Sequence, residues 1–75
     1  MNKFKKQYIC TGLMLKDGFP IGVCGDVHTL EDWLEIIFRK PKEELCDYFK
    51  SDTPKYIVDY IRQYSGIRLV LIKNK

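Results

Sequence analysis

Seventy-five residues bound the chain to one domain, residues 1–75, whose apolar fraction of 45% against 31% charged residues fits an ordered globular fold. A chain this short buries only about 60% of the surface it exposes when unfolded, so a partner or a second copy would add materially to its stability. The net charge of +3, from 13 basic and 10 acidic residues spread along the sequence, falls short of the concentrated stripe of a strong nucleic-acid binder.

The first segment, "MNKFKKQYIC", carries Lys3, Lys5 and Lys6 but no apolar core of a signal peptide, and no later run approaches the roughly 18 apolar residues that span a bilayer. These features predict a cytoplasmic chain with no membrane partner. Three cysteines, an odd number, argue for reduced thiols rather than a disulfide framework.

From Lys6 to Leu15 the residues alternate, with Ile9, Thr11, Leu13 and Leu15 on one face and Tyr8, Cys10, Gly12 and Met14 on the other. The "KDG" that follows suits a three-residue hairpin loop with Gly18 left-handed. That loop sets Leu15 against Phe19, Leu13 against Ile21 and Thr11 against Val23, keeping one face apolar on both strands. A two-residue Asp17-Gly18 loop would instead pair Leu13 with Gly22. The chosen register places Cys10 opposite Cys24, Gly12 opposite Gly22 and Met14 beside Pro20 on the second face.

Helical signals begin at "HTLEDWLEIIF", with Thr29 as N-cap, Glu31 and Asp32 in the first turn, and Leu30, Trp33, Leu34 and Ile37 as the buried stripe. Pro41 opens a second, shorter helix, "PKEELCDYFK", with Leu45, Tyr48 and Phe49 as its apolar side. In the third, Thr53 is the N-cap, Pro54 the first helical residue and Gly66 the stop. Its stripe is Ile57, Ile61 and Tyr64, flanked by Tyr60. The closing "IRLVLIKNK" reads as a strand from Ile67 to Ile72, with Ile67, Leu69 and Leu71 toward the core and Val70 and Ile72 on the second face. The order β-β-α-α-α-β predicts an α+β fold, a three-stranded antiparallel sheet with helices packed on one face.

Four side chains could in principle bind a metal: Cys10, Cys24, His28 and Cys46. Their spacing contains no C-x-x-C pair, and the simpler reading is three small buried hydrophobes and a loop histidine, so no metal or other cofactor is expected. Cys24 and His28, with Asp26 to orient the imidazole, have the composition of a thiol and its base. Successive positions on a strand and loop do not generally converge, however, and no enzyme activity is expected. The glycines of "GFPIGVCG" open no helix and make no phosphate loop.

Two classes of partner remain. The first is a protein: the second sheet face, with Tyr8, Cys10, Gly12, Met14, Pro20, Gly22, Cys24, Val70 and Ile72, is an apolar patch with nothing left in the chain to cover it. It predicts an interaction module, a regulator or inhibitor acting by surface binding, that pairs as a homodimer or meets an unidentified protein. Five tyrosines and one tryptophan, more than so small a core needs, favour this reading. The second is a nucleic acid, met by Lys3, Lys5 and Lys6 and by a helix-turn-helix outline in which Lys55 and Arg62 project from the third helix. Acidic residues, among them Glu43, Glu44, Asp47, Asp52 and Asp59, interleave with that surface and dilute it.

Overall fold

The computed structural model describes residues 3–11, 15–16, 19–20 and 25–73. After a single 3-10 turn at Lys3–Lys5, the strands are β1 (Gln7–Cys10), β2 (Leu15–Lys16), β3 (Phe19–Pro20) and β4 (Val27–Thr29). The helices α1 (Leu30–Phe38), α2 (Lys42–Tyr48) and α3 (Pro54–Ser65) follow, and β5 (Leu69–Leu71) closes the chain. The α+β class and the three-stranded antiparallel sheet are as expected, with β1 in the centre and β4 and β5 at its sides.

The helices start and stop where local chemistry directs. Thr29 accepts the amide of Asp32 at 3.2 Å and Thr53 that of Tyr56 at 3.1 Å, so each hydroxyl satisfies a first-turn N–H that has no partner within its helix. Pro54 occupies the first turn of α3, and Gly66 ends that helix at φ 77°. Ser65, buried at the same end, donates to the Ile61 carbonyl at 2.8 Å and accepts from the Ile67 amide at 3.2 Å, turning the chain toward β5. Pro41 separates α1 from α2, as expected. The C-cap of α1 is Arg39, left-handed at φ 58°, whose N–H reaches the Glu35 carbonyl at 2.8 Å.

The sheet departs from expectation in two respects. First, the partner of β1 is β4, not the segment after Phe19; the short pair β2 and β3 forms its own ladder. In that ladder Leu15 faces Pro20 and Lys16 faces Phe19, which overturns the expected Leu15 to Phe19 register and leaves two residues, not three, between the strands. This register agrees with the general preference of an Asp-Gly sequence for two-residue hairpin loops, and it sets Leu15 against a proline in place of the expected phenylalanine. The expected pairs of Gly12 with Gly22, Leu13 with Ile21 and Thr11 with Val23 rest on positions outside the described residues. Cys10 lies opposite Gly25 and Asp26, not Cys24: its N–H donates to the Asp26 carbonyl at 2.9 Å and its carbonyl accepts from Gly25 at 2.8 Å. Two residues opposing one, the first a glycine at φ 98°, make a glycine-type bulge.

Second, the faces of β1 are reversed. Tyr8 and Cys10 are buried, at 4% and 1% exposure, whereas Ile9 lies on the other side. The register with β5 explains this, because Tyr8 is opposite Leu71 and Cys10 opposite Leu69, and directly opposed residues share a face. The Trp33 indole N–H fixes the same arrangement by donating to the Tyr8 carbonyl at 2.9 Å. Around Trp33 the core gathers Leu30 and Leu34 of α1, Leu45 and Phe49, Ile57 and Ile61 of α3, Ile67 and Leu69, and Phe4 from the N-terminal turn.

Candidate functional site

The side of the sheet away from the helices bears a row of three β-branched residues in register, Val27 opposite Ile9 and Ile9 opposite Val70. Val70 is 50% exposed and Val27 is also exposed; Ile9 and Ile72 are half-buried. Gln7 and Thr29, paired next along β1 and β4, continue the row with polar groups. Of the residues expected on this face, Val70 and Ile72 keep their place. Tyr8 and Cys10 belong instead to the core, where burial pushes the Tyr8 phenol above its usual pKa. Pro20 is in β3, and Gly12, Met14, Gly22 and Cys24 lie outside the described residues.

The helical side carries a second surface that sequence spacing conceals. Tyr48 and Tyr64, expected in the core stripes of α2 and α3, are exposed, Tyr48 at 69%. They edge a chain of rings: Phe38 lies 4.6 Å from Tyr64 and 6.0 Å from Tyr60, and Phe49 stands nearly edge-on to Tyr48 at 4.9 Å and to Tyr60 at 5.5 Å. Tyr56, one turn before Tyr60, extends the group at 6.3 Å. Between the end of α1, α2 and α3, the rings of Phe38, Tyr48, Phe49 and Tyr60 wall a cleft of about 300 Å³, with Leu45 in its lining and Lys40 and Glu44 as its charged groups. The signal for it in the sequence was the surplus of tyrosine, of which Tyr48 and Tyr60 reach its lining.

The basic residues of the nucleic-acid reading are largely engaged within the fold. The Lys3 ammonium donates to the carbonyls of Lys50 and Asp52, Lys5 pairs with Glu31 at 2.6 Å, and Lys55 pairs with Asp59 at 3.0 Å. Lys6 and Arg62 are exposed.

The chemistry-bearing side chains occupy separate places. The His28 ring packs edge-on against Trp33 at 4.8 Å, Cys10 is in the core, and Cys46 is half-buried beside Glu31, with Sγ 3.9 Å from Oε1. Burial, reinforced by the Glu31 carboxylate, raises the Cys46 pKa, the opposite of what a thiolate nucleophile needs. Among the described residues no three of His, Cys, Asp and Glu are grouped closely enough to hold a metal ion, and no helix is long and apolar enough to cross a membrane. In comparison with known proteins, the chain matches no family model, no curated protein and no solved structure.

Proposed function

We propose that the chain is a small protein-interaction module, a regulator or inhibitor acting by surface binding, and that it self-associates through the outer face of its sheet. One observation carries the reading: Val27, Ile9 and Val70 form a cross-strand apolar row on the side opposite the helices, with its two outer members exposed. Water in contact with such a row is released when two copies meet, and a two-fold axis through the sheet would lay each row on the other. The same contact would add to the stability of a core built from a 75-residue chain.

A nucleic-acid function has less support, because three of its five candidate cations already have partners within the fold. Light scattering after gel filtration tests the proposal at about 50 µM, where a dimer of micromolar affinity is well populated. The wild type should run at twice the chain mass and Val70→Asp at the single mass, with unchanged far-UV circular dichroism. A wild type that stays monomeric overturns self-association.

A further inference from the structure

We infer that the aromatic cleft on the helical side is a binding site for a small quaternary ammonium ion. The cleft has the buried Phe49 ring as its floor, met at 88° by the exposed Tyr48 ring and at 71° by that of Tyr60, with the half-buried Phe38 ring 6.3 Å from Phe49, so Tyr48, Tyr60 and Phe38 supply its accessible aromatic surface. Ring faces carry the negative part of the aromatic quadrupole and attract cations that shed their water easily, which methylated ammonium groups do. Glu44 adds a full negative charge to the same lining.

The cleft already has a cation of its own. Lys40 Nζ lies 3.5 Å from Glu44 Oε2, and both side chains are 60% exposed, so the pair is loose and easily displaced. A fully methylated ammonium gains more from aromatic walls than a primary ammonium does, because it has no N–H groups whose hydration must be given up. The volume of about 300 Å³ is at the small end of ligand sites and suits a compact solute such as choline. The same head group could be borne by a trimethylated lysine of another protein; the size of the cleft favours the free solute.

The test is an NMR titration of the ¹⁵N-labelled chain with choline, with its neutral carbon isostere 3,3-dimethyl-1-butanol, and with a trimethyl-lysine dipeptide. Choline should give saturable shifts at the amides of Glu44, Tyr48 and Tyr60, and bind roughly threefold to thirtyfold more tightly than the isostere. Tyr48→Ala, an exposed position that should fold normally, should weaken choline severalfold. Lys40→Gln should tighten it, because it frees Glu44. Equal binding of the isostere, absence of saturable shifts, or weakening by Lys40→Gln overturns the inference. Tighter binding of the trimethyl-lysine dipeptide overturns the choice of a free solute. None of these readouts depends on the sheet face, so the outcome is independent of self-association.

Discussion

Single residues in the left-handed region decide how two turns are made. Gly25 opens the bulge opposite Cys10 at φ 98°, and a Cβ built there meets nothing within 4 Å. Gly25→Ala therefore carries only a conformational cost, about 1–2 kcal/mol for an L-residue forced left-handed. Arg39 presents the reverse case, as the one non-glycine at positive φ among the described residues. Its exposed side chain can be removed without loss of packing, so Arg39→Gly should relieve roughly 1 kcal/mol and raise the urea midpoint, while Gly25→Ala lowers it. Urea melts of the two variants check both signs; a destabilised Arg39→Gly would mean that the Arg39 side chain holds the α1 end in a way the backbone alone does not.

At the level of elements, the helices were legible because their signals are local. Thr29, Thr53, Pro54 and Gly66 act on backbone groups a few residues away, and each does what its chemistry requires. β1 was not legible. Ile9, Thr11, Leu13 and Leu15 compete with Tyr8, Cys10 and Met14 for the core, and both sets are mainly apolar. The contacts that decide between them, Leu69 and Leu71 across the ladder and the Trp33 indole on the Tyr8 carbonyl, come from distant parts of the chain. β4 was invisible for the same reason, being three residues made into a strand by pairing with β1. Helical spacing likewise could not tell a core tyrosine from a surface one, which hid the cleft.

One ion pair between elements has a defined pH signature. Asp32 in the first turn of α1 accepts from Lys42, the first residue of α2, at 2.7 Å. The hydrogen bond from Lys42, helped by Thr29, lowers the Asp32 pKa, and the bond to Asp32 raises that of Lys42. A carboxyl with a depressed folded pKa contributes stability above its unfolded value and loses it as the pH falls through the folded one. For the raised ammonium, the contribution holds below the unfolded lysine value and disappears as the pH rises through the folded one. Asp32→Asn should therefore lower Tm at neutral pH, and the difference from wild type should shrink as the pH falls below the unfolded carboxyl range and through the lower folded value of Asp32. A difference that persists there would assign the effect to the N-terminal cap of α1 and not to the pair.

For the molecule as a whole, the N-terminal turn is a fastening. The sequence reads Lys3, Lys5 and Lys6 as an arm for phosphates, yet two of the three are used inside the fold, Lys3 on the carbonyls at the α2 to α3 turn and Lys5 on the buried Glu31. Phe4 between them is buried in the common core with the helices and the sheet. A 75-residue domain has roughly 4–11 kcal/mol of total stability at typical values per residue. Phe4→Ala removes a buried ring, a change that costs about 3–5 kcal/mol and is thus a large share of that total. The variant should be partly unfolded at 37 °C, a condition chosen because small-domain margins are already narrow there. Phe4→Leu, which keeps most of the buried volume, should lose much less. Lys3→Met should fall between wild type and Phe4→Ala, because it leaves the ring in place but removes the ammonium from the two carbonyls. Urea unfolding followed by the fluorescence of Trp33, the one tryptophan of the chain, orders the three variants. If Phe4→Ala melted within about 0.5 kcal/mol of wild type, the margin of an ordinary surface substitution, the turn would be an appendage and its lysines would again be open to a ligand.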